Sequence, residues 1–319
     1  MIDADIAAAA QLACLLEASA PKPGNVSPGR HFADVRYEHF LASAAAIGAA
    51  FTNVGERPLG ETVLLAARAT SRWTGSNTNL GIVLLLAPLA KAAARDVASR
   101  QSLADLTRSA PPDVVTRPPD LVTRSAPPDS QGRPLRGTLR ESLAAVLDQT
   151  TVDDARDVFA AIRLASPGGL GTSAEQDVAD EPSVTLFEAM QLAAERDGIA
   201  REYTTAFATT FEVAVPALLQ ARADRLSWDD GVVETFMTVL AAQPDTHIVR
   251  RGGPELASDV SDRAREVMRA GGIRTDEGRR ALGYFDHSLR DPRNTGNPGT
   301  TADVTAAAIF VALLQGAWT

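Results

Sequence analysis

Thr74-Gly75-Ser76-Asn77-Thr78-Asn79 runs directly into Leu80-Gly81-Ile82-Val83-Leu84-Leu85-Leu86-Ala87-Pro88-Leu89-Ala90-Lys91. A loop of glycine and small polar residues empties into an apolar helix, with Asn77, Thr78 or Asn79 as its N-cap. Pro88 and Lys91 break the apolar run well short of the roughly 18 residues that would span a bilayer. The stretch therefore predicts a helix over 80–98 whose start offers free backbone N–H groups to an anion.

The same helical spacing recurs on both sides of it. Ile2, Ile6, Ala9, Ala13 and Leu16 fall on one face, and Pro21 to Pro28 then end that helix in a rigid Pro/Gly-rich loop. Further helical patterns cover 37–51, 59–73, 135–147, 152–164, 184–196, 200–223, 228–242, 256–270, 276–289 and 302–318. Strand patterns are nearly absent, so the expected fold class is all-α, a globular bundle of about a dozen helices forming a single domain over 1–319. Within it, Thr107-Arg108-Ser109-Ala110-Pro111-Pro112-Asp113 returns as residues 123–129, with a shortened copy at 116–120. Such repetition builds no core, and 106–134 is expected to be a Pro-rich insert or linker.

Composition narrows the function classes. A chain of 319 residues with 45% hydrophobic content buries a sizeable core. Its net charge of -9 excludes a basic nucleic-acid scaffold binder. Asp3 and Asp5 stand where a signal peptide carries positive charge, so a cytoplasmic location is expected, with neither nucleic acid nor membrane as partner. A homo-oligomer is left open. The only cysteine, Cys14, lies among leucines and is expected to be a buried, inert thiol. Lys22 and Lys91 are the only lysines among 31 basic side chains. A lysine kept between Pro21 and Pro23 suggests a role for a compact ammonium, such as a phosphate contact.

Two more loops share the form of the first: Arg250-Arg251-Gly252-Gly253 before the helix near Leu256, and Asn297-Pro298-Gly299-Thr300-Thr301 before Ala302. Polyphosphate is the natural guest of such helix starts. Glu17, Asp34, Asp245 and Asp303 are the carboxylates near these loops, suited to a metal triphosphate or to an oxocarbenium-like glycosyl transfer. Asp153-Asp154-Ala155-Arg156-Asp157 also spells the DDxxD of magnesium-dependent prenyl diphosphate synthases, although no second aspartate-rich motif accompanies it.

Four of these segments, in order, resemble the triphosphoribosyl-dephospho-CoA synthase family. Ala20-Pro21-Lys22-Pro23-Gly24 with Asn25-Val26 is similar to T-P-K-P-G-L-V, followed by Asp34, Phe40 and Ser43 where the family has the same residues. Thr74-Gly75 with Asn77-Thr78 and Gly81 resembles T-G-G-V-N-T-H-K-G. Pro244-Asp245-Thr246 with Arg251-Gly252-Gly253 resembles P-D-T followed by R-G-G, and Pro298-Gly299 with Ala302-Asp303 resembles P-G-G-S-A-D. Asn79-Leu80 replaces the family's His-Lys, and 166–181 departs from the pattern, which leaves the acceptor open.

The resemblance implies an all-α enzyme that uses ATP as substrate. The 2'-hydroxyl of 3'-dephospho-CoA, or of a related nucleotide, attacks the ribose anomeric carbon of ATP and expels adenine. From charge, Lys22, Arg251 and the amides after Asn77 and Thr78 are expected to hold the triphosphate. Gly24, Asn25, Asp245, Arg250, Gly252, Gly253 and Gly299 are further binding candidates. Asp34 and Asp303 are candidates for Mg2+ or for the reacting hydroxyl, and Glu17 is a third catalytic candidate. A nucleotide-binding regulator without transferase activity is the alternative of a different class.

Overall fold

The computed structural model describes residues 3–109, 138–167, 171–173 and 175–317, and among them every regular element is helical. In chain order these are α1 (Asp3–Ser19), α2 (Tyr37–Ala46), α3 (Gly48–Phe51), α4 (Leu59–Ser71) and α5 (Leu80–Ser109). After them come α6 (Leu139–Asp148), α7 (Val152–Ala165), α8 (Leu186–Ala193), α9 (Gly198–Thr204), α10 (Val215–Ala223) and α11 (Trp228–Ala242). The last four are α12 (Thr246–Gly252), α13 (Pro254–Arg269), α14 (Asp276–Leu289) and α15 (Gly299–Leu314). The all-α expectation is met.

The most apolar helix lies deepest. From Val304 to Ala312 every residue of α15 is buried, because a helix that is apolar on all sides has no face to offer water. It packs against α1, α5, α10 and α11, and the buried apolar side chains of the bundle form one continuous cluster. No helix among the described residues is long and apolar enough to cross a membrane.

The run that opens α5 needs a repair at Pro88. Proline has no N–H, so the carbonyl of Leu84, four residues earlier, loses its helical donor. The hydroxyl of the fully buried Tyr203 donates to that carbonyl at 2.7 Å. A helix that proline would weaken is thereby completed by a side chain from α9.

Several boundaries differ from those the periodicity predicts. α5 continues through residues 106–109, which the pattern placed in the Pro-rich insert, whereas 110–134 lie outside the described residues. The pattern over 200–223 is divided: Ala206 and Phe207 take left-handed conformations, and a π-helical turn spans Thr209–Ala214 before α10. Buried Glu202 accepts from the N–H groups of Thr209 and Thr210, both at 2.9 Å, and so caps the restarted segment.

The DDxxD segment has a structural use that removes it as a diphosphate site. Thr151 caps α7, and Asp154 Oδ2 accepts from both the Thr151 N–H and its hydroxyl at 2.9 Å. The other oxygen of Asp154 accepts from Gly60 N at 2.7 Å, tying α4 to α7. Gly60 permits this approach, since a Cβ there would lie 2.5 Å from the Asp154 backbone. Asp153 pairs with Arg156 on the surface. Cys14 is buried as expected, and burial raises its thiol pKa far above the ordinary value, so it is inert.

Candidate active site

A cavity of about 660 Å³ lies between the N-terminal ends of α5 and α15 on one side and α7, α8 and α9 on the other. That volume falls within the roughly 300–1,000 Å³ typical of small-molecule sites. Its two ends differ in chemistry. Val158, Phe159 and Ile162 of α7, with Ala189 and Met190 of α8 and Ile199 of α9, make an apolar wall. Asn25, Asn77, His247, Arg250, Asn297 and Asp303 gather at the polar end.

The start of α5 behaves as its sequence predicts. Asn77 Oδ1 accepts from Leu80 N at 3.1 Å, and Asn79 O accepts from Val83 N at 2.9 Å. The N–H groups of Gly81 and Ile82 have no acceptor among the described residues, and both residues line the cavity. They are the unused donors that a helix of this length turns toward an anion. Thr78 is buried, its hydroxyl 2.5 Å from Ser43, which anchors the loop to α2.

The lysine loop is a different matter. Lys22 is fully buried and does not line the cavity. Its ammonium lies 3.0 Å from Glu17 Oε1 and donates to the carbonyls of Glu17 and Ala20. Three donors with three acceptors leave none for a triphosphate. Lys22 thus neutralises Glu17, which does line the cavity, instead of contacting a ligand. Gly24 takes φ +73° and gives its N–H to Asp286 Oδ1 at 2.8 Å, where a Cβ would crowd Leu289 and Pro298. Asp286 also pairs with Arg30 and Arg290, and Arg290 donates to Asn25 O at 2.8 Å, so the Pro/Gly loop is clamped onto α14. Of this loop only Asn25 and Val26 reach the cavity, Asn25 donating to Asn297 Oδ1 at 2.8 Å.

Asp245 is likewise a clamp. One oxygen caps α12 by accepting from His247 N and Ile248 N, and the other accepts from the N–H and hydroxyl of Thr301, both at 2.7 Å. The carboxylate joins the starts of α12 and α15 and has no lone pair left for a nucleotide. The Gly252–Gly253 pair lies outside the cavity too. Arg250 to Gly252 form the last turn of α12, and Gly253, at φ +92°, is the hinge into α13. Both arginines nevertheless line the cavity. Arg250 pairs with Asp197 at 2.5 Å and keeps a buried Nε without a partner, while Arg251 is exposed.

The two remaining carboxylates occupy opposite surroundings. Asp34 is exposed at the cavity edge and makes no ion pair. Asp303 is half-buried in the cavity, its oxygens accept no hydrogen bond from the described residues, and its side chain lies over Gly81. Desolvation, then the charges of Glu17, Asp245 and Asp197, push its pKa well above the ordinary carboxylate value, with Arg250 opposing. Among the described residues no three His, Cys, Asp or Glu side chains cluster into a metal cage.

His247, Asp197 and Arg196 are cavity-lining residues to which the sequence motifs gave no role. His247 precedes Arg250 and Arg251 by three and four positions, a spacing that puts all three on one face once 246–252 is known to be helix. Its Nδ1 lies 3.0 Å from Asn297 O. Gly299 is needed beside it, because a Cβ there would meet Nδ1 at 2.5 Å. Residues 171–173 and 175–178, in the segment that departs from the family pattern, line the cavity opposite these groups. There Arg196 donates to Ser173 Oγ at 2.9 Å.

Comparison with known proteins identifies the family. A family model described as CitG: ATP:dephospho-CoA triphosphoribosyl transferase matches residues 3–319. The protein assigned as 2-(5''-triphosphoribosyl)-3'-dephosphocoenzyme-A synthase in Pectobacterium atrosepticum is 34% identical over 34% of this chain and 34% of its own. A relative of the same assignment from Malonomonas rubra is 30% identical over 42% of each chain. The matched stretches thus span less than half the length of these curated relatives. A solved structure assigned as triphosphoribosyl-dephospho-CoA synthase from Archaeoglobus fulgidus superposes with a TM-score of 0.57 at 27% identity, covering 86% of this chain and 99% of that one. Because the family model spans both the helix starts at the polar end and the helices of the apolar wall, the chain belongs to the ATP:dephospho-CoA triphosphoribosyl transferase family.

Proposed function

We propose that this protein transfers the 5-triphosphoribosyl group of ATP to the 2'-hydroxyl of 3'-dephospho-CoA or a related nucleotide, releasing adenine. The observation that carries the reading is the two-ended cavity, in a chain of this family. Gly81 and Ile82, whose N–H groups have no acceptor among the described residues, line the same cavity as Arg250 and Arg251, and an apolar wall suited to a base or a pantetheine arm lines it as well. Magnesium enters with ATP as part of the substrate. With no cage of three ligands among the described residues, it would be held by the triphosphate, water and at most one or two carboxylates, of which exposed Asp34 is one.

Incubation with Mg-ATP and a panel of CoA-related acceptors, read by mass spectrometry, tests this. Free adenine and a triphosphoribosyl adduct are expected in equal amounts. ATP binding without adenine release would favour a regulatory protein instead. Arg251→Ala should raise the KM for ATP about ten- to hundred-fold, the effect of losing a charge-assisted contact of about 1.5–3 kcal/mol.

A further inference from the structure

Two polar side chains that line the cavity keep side-chain atoms to which none of the described residues bonds. Asp303 accepts no hydrogen bond from the described residues, although Gly81 is bare so that its carboxyl group can lie there. His247 has its Nδ1 edge against the 297–299 backbone and nothing bonded to Nε2. A carbonyl only accepts, so the 3.0 Å contact with Asn297 O requires the proton on Nδ1. In the neutral ring the sole lone pair is then on Nε2, with the tautomer fixed by the main chain.

Resting on the transferase reading above, we propose that His247 and Asp303 are the proton-transfer pair of the reaction. His247 Nε2 accepts the proton of the attacking 2'-hydroxyl, and the Asp303 carboxyl donates a proton to the departing adenine. As the hydroxyl oxygen bonds to the ribose anomeric carbon, the bond from that carbon to the base breaks and its electron pair goes to adenine. The proton from Asp303 neutralises the base. The imidazolium then returns its proton through water to the Asp303 carboxylate, so the net result is one proton moved from hydroxyl to adenine.

The electrostatics suit these opposite roles. Burial, Arg250 and Arg251 lower the His247 pKa below that of free imidazole, against Asp245 and the Asn297 carbonyl, which favours the neutral ring with its free lone pair. Burial, then Glu17, Asp245 and Asp197, raise the Asp303 pKa well above the ordinary carboxylate value and so favour its protonated form, with Arg250 opposing. Two titratable groups in one cavity whose surroundings push them toward opposite tasks mark an acid and a base.

The test uses the full-length protein, with ATP and N7-methyl-ATP as donors and dephospho-CoA as acceptor. N7-methyladenine leaves as a neutral base without a proton. His247→Ala should slow adenine release from both donors by roughly 10²–10⁴-fold. It should also lose the acid limb of the kcat/KM profile and be partly rescued by free imidazole. Asp303→Asn should be slowed comparably with ATP but within about ten-fold of wild type with N7-methyl-ATP. Retained thermal protection by Mg-ATP shows that either variant is folded and binds. Wild-type rates in His247→Ala, absence of imidazole rescue, or equal slowing of both donors by Asp303→Asn overturns the pair alone. A wild-type protein that releases no adenine overturns the transferase reading and the pair together.

Discussion

The carboxyl group of Asp303 lies on the bare Cα of Gly81, so close that a methyl group there would meet Oδ2 at 2.1 Å. The first turn of α5 and the start of the second turn of α15 are thus shaped to each other at the cavity's polar end. Gly81→Ala should either displace Asp303 or separate the helices, at the roughly 1–3 kcal/mol that overpacking costs. Adenine release should fall at least ten-fold. In urea unfolding, Asp303→Ala in the Gly81→Ala background should recover most of the lost stability without restoring activity. Equal stabilities for Gly81→Ala and wild type would show that the helices adjust freely.

Asp303 also makes a prediction about pH. Its folded pKa is raised, so between the unfolded carboxylate value near 3.9 and the folded value the native state binds more protons than the unfolded one. Stability from this group therefore falls as pH rises through that window. Asp303→Asn, which carries no charge, should be more stable than wild type at pH 7 by about 0.5–2 kcal/mol, a common gain from relieving a costly site group. The difference should vanish by pH 3. A constant difference across pH would assign it to packing.

Tyr203 and Pro88 form a repair that can be undone and remade. Tyr203→Phe leaves the Leu84 carbonyl without a donor in the core and should cost about 1–3 kcal/mol in urea unfolding. Pro88→Ala returns a backbone N–H to that carbonyl, so Tyr203→Phe should be better tolerated in the Pro88→Ala background. Additive effects of the two substitutions would argue against the compensation.

Lys22→Ala should act on stability before it acts on binding. Breaking the buried Lys22–Glu17 pair strands a carboxylate beside the cavity and should destabilise the protein by about 3–5 kcal/mol. Replacing both residues, Glu17→Leu with Lys22→Met, should recover part of that loss. Normal thermal stability in Lys22→Ala, with only a raised KM for ATP, would return the lysine to the ligand.

The all-α architecture was legible in the sequence because helical periodicity and capping are local. The apolar run from Leu80, the Thr-x-x-Asp start of α7 and the loop before α15 each declare themselves within a few residues. The helix-start loops also pointed to the polar end of the cavity. Asn25, Asp34, Asn77, Thr78, Arg250, Arg251, Gly299 and Asp303 do line it, together with Glu17. Sequence could not say which polar groups in those loops are free to act, because that depends on how the loops fold back and on partners that can lie far along the chain. Lys22 is spent on Glu17, Asp245 on Thr301 fifty-six positions away, and Gly24 on Asp286. Only the tertiary structure shows that Asp303 and His247 are left with unshared atoms. Periodicity records which face of a helix is buried, whereas the chemistry of a buried polar group is set by what else is buried with it.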